Sequence, residues 1–459
     1  MLNVRNLFGV FLAFTLLFNV TTASAAEPIE EVRDLVKNYY VEEVPEWVLE
    51  KPTINQLVDY LDQYSVYMSA EEFEEFANAI DQQLVGIGVV LEEETKGIKI
   101  ISVIPGGPAE KAGIQAGDII TQVDGTSLVG QSVQHAITLI SGKENTSVTI
   151  TFLKPSGQQV STTITRQIIQ LPNVEYEMLG GQIGYVRLNS FAQDSAKDIK
   201  NAIQQLQGAK GWIFDLRDNG GGYVSVAQEV AGFFPKVTKA FQLRDKTNKP
   251  SIYSAINQPV KFTDPTHILI NDYSASASEM VAASVKEQKG ATLYGQTSYG
   301  KGSMQSLFTL SDDSVLKLTT AKFFSPKGSP VHEVGVVPNI TTPIGEELTK
   351  SHWDQLIHGL VGYKQLTTLN NVPVTKTFTI KMNMKMNWSG VGPQDVQLTH
   401  LGGKDVPVDV TVSGDRSIKV IPKQKLESKG KYILIVNPKW KSHNSKQMRQ
   451  GIYLEVTVK

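Results

Sequence analysis

His267-Ile268-Leu269-Ile270-Asn271-Asp272-Tyr273-Ser274-Ala275-Ser276-Ala277-Ser278-Glu279 passes from a buried strand, through a short polar connection, into a helix that runs on to Glu287. A strand, a tight turn and a helix in that order mark a layered α/β unit. Working outward, Ile183-Gly184-Tyr185-Val186-Arg187-Leu188 and Gly211-Trp212-Ile213-Phe214-Asp215-Leu216-Arg217 read as two more strands, with Ser195 to Gln207 as the helix between them. Strands around Thr292-Leu293-Tyr294 and Val315-Leu316-Lys317-Leu318 complete the layers downstream.

A serine at the start of the 279–287 helix meets free N–H groups that stabilise an anion. An attacking hydroxyl needs that setting, because its attack puts charge on the former carbonyl oxygen. Ser274, Ser276 and Ser278 all compete for the role. Ser278 also suits a simple cap, so the local physics leaves the choice open. No acid-histidine relay is written around any of them. The matching base is Lys301 in Gly300-Lys301-Gly302-Ser303-Met304-Gln305. At an unperturbed pKa near 10.4, roughly four lysines in ten thousand are neutral at pH 7. Burial that lowers the value by about three units, at roughly 4 kcal/mol of differential solvation, makes the amine a usable base. The flanking glycines let the backbone approach closely, and Gln305 is in reach to hydrogen-bond the amine and fix its direction.

Leu216-Arg217-Asp218-Asn219-Gly220-Gly221-Gly222-Tyr223 follows a strand directly and can fold as a nest of N–H groups. Such a nest donates to an oxyanion or lines a substrate strand. It is not a phosphate loop, since no GxxxxGK run occurs. Ser298-Tyr299-Gly300-Lys301 also fits an SxxK pattern, but its glycine breaks the helical turn that chemistry requires and the companion KTG is missing.

Composition narrows the classes further. A chain of 459 residues, 41% hydrophobic, fills several cores, so a site between modules is feasible. Cysteine is absent, which removes disulfides, thiol nucleophiles and thiolate metal sites. Seven histidines without an HExxH pair give no metal centre, and no cofactor is expected. Arg5, an apolar run from Leu7 to Val20, and Ala23-Ser24-Ala25 predict an export signal over residues 1–25, hence a secreted or cell-envelope protein, with a retained anchor as the alternative. From Pro373 to Lys459, 15 Lys/Arg face 6 Asp/Glu; the chain total of −2 leaves −11 for residues 1–372. Such a basic tail can associate with an anionic cell-envelope polymer or simply be a solvated surface. It carries no nucleic-acid motif, so no nucleic acid is expected.

Six regions are expected: the signal peptide 1–25, a helical region 26–80, a β-rich module 81–165, the α/β core 166–345, a helical linker 346–372 and a β-sandwich 373–459. The whole is multidomain α+β. The 81–165 module, with Gln83-Leu84-Val85-Gly86-Ile87-Gly88-Val89-Val90, Ala116-Gly117-Asp118-Ile119-Ile120 and Val123-Asp124-Gly125, resembles a PDZ domain in circularly permuted order. N–H groups around Gly86, Ile87 and Gly88 then hold a terminal carboxylate while a peptide adds as a strand beside Val89. The last region, with Asn387-Trp388-Ser389 and Val408-Asp409-Val410, is similar to bacterial Ig-like modules and shows no sign of chemistry.

Taken together, Leu61-Asp62-Gln63-Tyr64-Ser65-Val66-Tyr67-Met68, the PDZ-like module, the 216–221 turn, 274–279, Gly300-Lys301-Gly302 with Gln305, and Gly335-Val336-Val337-Pro338-Asn339 resemble the carboxyl-terminal processing proteases, the tail-specific family with a serine-lysine dyad. The resemblance implies an α/β serine protease core with an inserted PDZ domain and a helical N-terminal region. It puts the nucleophile at Ser276, the base at Lys301 and the orienting glutamine at Gln305. It makes Ala277 N–H and an amide of the glycine turn, Gly220 or Gly221, the oxyanion donors. The implied partners are proteins or peptides with accessible apolar C-termini, and relatives with long arms raise a homodimer. Gln63 stands where relatives commonly have proline, and the C-terminal β region departs from the usual pattern. A catalytically inactive peptide-binding scaffold is the alternative.

Overall fold

The computed structural model describes residues 28–459. The signal peptide expected over 1–25 lies outside the described residues. Among those described, no helix is long and apolar enough to cross a membrane.

The centre is a six-stranded sheet in the order Val174–Leu179, Ile183–Leu188, Gly211–Asp215, Thr266–Ile270, Thr292–Gly295, Ile340–Thr341. The first pair is antiparallel and every later pairing is parallel. Gly211–Asp215 and Thr266–Ile270 are buried at every position, as a parallel sheet covered on both faces requires. Helices Ser195–Gln205, Val224–Ala231 and Ala277–Glu287 cover one face, and Phe214, Phe233, Phe234, Phe241 and Phe262 fill the core beneath them. The parallel order puts the ends of neighbouring strands at one rim, where the 216–222 and 271–276 turns meet.

A second sheet carries the lysine. Ser303–Thr309 pairs with Val315–Phe324, which also pairs with Val66–Met68 and Lys239–Arg244. The N-terminal helices close over this sheet: Val32, Val36, Ile54 and Leu57 share a core with Leu310, Leu316 and Leu318. Between helix and strand, Asp62 Oδ1 accepts the N–H groups of Tyr64 (2.7 Å) and Ser65 (2.9 Å), so the turn holds with glutamine at position 63.

The PDZ-like module has its own core, including Ile98, Ile100, Ile120, Ile150 and Phe152. Its strand Val89–Glu94 is the edge of the sheet and, among the described residues, pairs only with Gly97–Val103. The module leaves the body through one two-stranded ladder, Gln83–Gly86 against Gln167–Gln170.

The stretch 346–372, expected as a helical linker, combines a helix with two strands of a sheet. It is helical over Glu347–His358, and then Lys364–Gln365 and Leu369–Val372 add in parallel to Ile452–Val458 in the C-terminal sheet. That sheet and a second one, Phe378–Lys381, Ser417–Pro422 and Val408–Gly414, enclose a common core of Phe378, Leu398, Ile418, Val420, Leu434 and Val456. Lys431–Val436 is apolar almost without a break because both its faces are covered. Tyr432, Leu434 and Val436 point into that core, while Ile433 and Ile435 pack with Leu356 of the helix and Ile213 and Leu269 of the central sheet.

Candidate active site

Ser276 caps the helix Ala277–Glu287 with φ 57° and ψ −115°, a conformation that costs a non-glycine residue about 1–3 kcal/mol and persists only where its surroundings fix it. Those surroundings are explicit. Ser274 Oγ donates to Leu216 O (2.8 Å), Ala275 N–H to Asn219 O (3.0 Å) and Ser278 Oγ to Asn219 O (2.9 Å). Two of the three competing hydroxyls are thus engaged by the glycine loop, and Ser276 makes no such bond to it. Ala277 N–H, at the first helical position, meets no acceptor among the described residues.

The loop reaches the elbow because it lacks side chains. A Cβ on Gly221 (φ 107°) would lie 2.8 Å from Ser276 Cβ and 3.0 Å from Ala277 N; one on Gly222 would lie 2.5 Å from Phe191 O. Asn219 shapes the turn, donating to Leu188 O and accepting Gly221 N–H (2.9 Å). Of the two candidate glycine donors, Gly221 therefore has its N–H engaged, while Gly220 is exposed with no acceptor among the described residues.

Lys301 arrives from the other sheet. Gly300 turns with φ 92°, and a side chain at Gly302 would sit 2.2 Å from His332 N. The link to the elbow is a residue the sequence did not single out for chemistry. Glu279, fully buried, accepts Ser276 N–H (2.9 Å), Lys301 N–H (2.9 Å), Gly300 N–H (2.7 Å) and Ser298 Oγ–H (2.6 Å). One carboxylate thus fixes the backbones of both chemical groups. Burial pushes its pKa up, and the four donors oppose that rise. The available signal was an acid, three residues after Ser276, in a helix whose residues are otherwise small or apolar up to Lys286. Ser298, the SxxK alternative, is committed: its hydroxyl donates to Glu279 and accepts Val336 N–H (2.6 Å).

Burial, then repulsion from Lys317, lowers the Lys301 amine to about 8, against the attraction of Asp62 and Glu279. The amine lies 5.0 Å from the centre of the Tyr64 ring and has no hydrogen-bond partner among the described residues, Ser276 Oγ and Gln305 included. The Gln305 amide donates instead to Ser303 Oγ (3.0 Å) and Thr319 Oγ1 (3.1 Å). Tyr64, placed by the Asp62 turn, and Lys317 are two further residues that sequence reasoning passed over. Burial and Tyr299 push the Tyr64 phenol up to about 12, so a neutral ring faces the amine.

In the PDZ-like module, Gly86 sits in the ladder with Gln167, and Ile87 and Gly88 follow it as buried residues. Their carbonyls accept Ala109 and Ile104 N–H, and their own N–H groups meet no acceptor among the described residues. Gly88 turns at φ 79° into Val89 and the open edge strand.

Residues 182–342 match the profile of peptidase family S41, and residues 99–154 that of the PDZ domain. The chain is 32% identical over 379 residues to the carboxy-terminal processing protease CtpA of Bacillus subtilis (strain 168), covering 82% of this chain and 80% of that protein. It is 32% identical to CtpB of the same organism (69% and 67% covered) and 30% identical to a probable CtpA-like serine protease of Staphylococcus aureus (strain COL; 79% and 70% covered).

Proposed function

The chain belongs to peptidase family S41, as a CtpA-like, PDZ-containing serine endopeptidase of the carboxy-terminal processing type, and from that premise we propose that Ser276 and Lys301 are its nucleophile and base. The observation that carries this reading is Glu279, whose single buried carboxylate receives the N–H of both residues.

Neutral Lys301 takes the Ser276 Oγ proton as Oγ attacks the scissile carbonyl carbon. Charge forming on the carbonyl oxygen is met by Ala277 N–H and Gly220 N–H. The ammonium then protonates the departing amine as the C–N bond breaks, leaving an acyl-enzyme and a neutral lysine. Water, deprotonated by the same amine, attacks the ester and frees Ser276. With a pKa of about 8, roughly one lysine in ten is neutral at pH 7, about two hundred times the unperturbed fraction. Gln305 acts through the Ser303 and Thr319 hydroxyls that line the lysine's strand.

Substrate C-termini are taken by the PDZ domain. The carboxylate lies on the free N–H groups of Ile87 and Gly88, beside Gly86, and the peptide extends the sheet along Val89–Glu94. Ile87, Val89 and Leu91 supply the apolar surface for the terminal side chain. We further propose that residues 1–25 export the protein, and that Lys439, Lys441, Lys446 and Arg449, which make no ion pair among the described residues, draw it to an anionic envelope polymer.

The decisive experiment is mass spectrometry of a peptide with an apolar C-terminus after incubation with wild type, Ser276→Ala and Lys301→Ala full-length protein. Cleavage is expected to fall by at least about 10³-fold in both variants. Matched cleavage by wild type and Lys301→Ala ends the assignment of the base.

A further inference from the structure

The glycine turn facing Ser276 is anchored at its root by an ion cluster that spans the central sheet. Arg217 donates to Asp215 Oδ2 and, through Nη1, to Glu347 Oε2 (2.9 Å). The side chains of Asp215 and Glu347 are buried and that of Arg217 nearly so. Burial alone would push the Asp215 carboxyl up, yet Arg217 and Arg187 hold it below the usual carboxylate range. Arg187 adds a bond to Arg217 O (3.1 Å) and one to Asp218 (3.2 Å). Asp215, Arg217 and Asp218 are thereby tied together, and Arg217 is tied as well to Glu347, which lies 130 residues along the chain.

Glu347 is itself held from two directions. Its Oε1 accepts Gln296 Nε2 (2.9 Å) and Gly345 N–H (3.0 Å). The helix it begins, Glu347–His358, is pressed between the central sheet and the C-terminal one. Leu356 packs with Ile213, Leu269, Ile433 and Ile435. Buried His352 joins the two: its Nε2 pairs with Gly180 O (2.8 Å) and its Nδ1 accepts Gly402 N–H (2.9 Å), which fixes one neutral tautomer. Gly180 N–H donates to Gly403 O (2.9 Å), and Lys431 pairs with Glu346 (2.6 Å) one residue before the helix.

We propose that Glu347 is a positioning residue for the reaction: by clamping Arg217 it holds the glycine turn at its distance from Ser276, and the C-terminal β region acts in catalysis by holding Glu347's helix in place. The inference rests on reading the turn as an oxyanion donor to Ser276. Glu347→Gln keeps the shape and removes the charge, so Arg217 retains Asp215 as its one ionic partner of the two and its side of the turn is held more weakly. An oxyanion group displaced by a fraction of an ångström acts on the transition state and not on the bound substrate.

The test is steady-state cleavage by full-length enzyme, with active sites counted by a serine-directed acylating probe. Glu347→Gln is expected to lower kcat per titrated site by about tenfold or more with KM within about twofold. Gln296→Ala, which removes one of the two donors to Glu347 Oε1 without touching a charge, is expected to lower it several-fold. His352→Gln, which disturbs the seam with the C-terminal region, should move kcat in the same direction. A merely structural role would lower the number of titratable sites or the melting temperature and leave kcat per site unchanged; that result, in Glu347→Gln or, if it does not fold, in Gln296→Ala, overturns the proposal. Ser276→Ala run in parallel separates the cases. If it is inactive while Glu347→Gln is normal, only the positioning role is lost; if it is active, the oxyanion reading itself goes.

Discussion

The PDZ domain and the C-terminal β region are both β-rich appendages to the same central sheet, yet they are attached in opposite ways. The PDZ domain keeps a separate core and meets the body through the ladder 83–86 with 167–170 and a few polar contacts such as Gln193 N–H to Asp81 Oδ1 (3.1 Å). The C-terminal region shares a core with the central sheet through Ile433, Ile435 and Leu401. A shared apolar core makes two elements one cooperative unit, whereas a ladder leaves two units that move apart at little cost. On the proposed function, a module that receives a chain end and delivers it to a cleft suits the second kind of attachment, and one that holds the loop facing Ser276 suits the first.

The sharpest way to break this comparison is to empty one core at a time. Ile433→Ala and Ile150→Ala each remove a fully buried side chain, at about 2–5 kcal/mol. Calorimetry is expected to show Ile433→Ala lowering the transition of the central sheet and the C-terminal region together, with activity falling on every substrate. Ile150→Ala is expected to lower a separate PDZ transition and to weaken only the preference for a free C-terminal carboxylate. Two independent transitions in Ile433→Ala would refute the welded interface.

A smaller effect sharpens the boundary between binding and chemistry. In the proposed mechanism Lys301 is the base, and its folded-state value is lowered, so kcat/KM should rise with pH through about 8 as the amine loses its proton. The same burial costs stability below that pH, and the cost is relieved between about 8 and the ordinary lysine range. Lys317→Met removes a neighbouring positive charge and is expected to shift the limb to higher pH by up to about one unit, because the charged form of Lys301 is then less disfavoured. Peptides with free and amidated C-termini should share this limb, since the PDZ site carries no part in it. A limb that stays put in Lys317→Met rules out that lysine's contribution.

The smallest effect is at the surface. Lys143 pairs with Glu71 at 3.1 Å between the PDZ domain and the N-terminal helices, with both side chains largely exposed. Lys143→Ala should change stability by well under about 1 kcal/mol and cleavage not at all. A large loss of activity there would mean that the PDZ domain is clamped after all.

Much was legible in the residues alone. The 267–279 run specified strand, elbow and helix, because period, turn chemistry and capping are local properties. Gly300 and Gly302 marked a close backbone approach for the same reason, and a side chain at Gly302 would lie 2.2 Å from His332 N. What only the tertiary structure decided involves partners far apart in the chain. Ser274 and Ser278 are distinguished from Ser276 by bonds to a loop about 60 residues away. The lysine's acidity depends on its burial and on Lys317, and Glu279 and Glu347 gain their importance from the groups folding brings to them. Hydrogen bonds and desolvation act over a few ångströms of space, and sequence order reports those distances only within a turn or two of the chain.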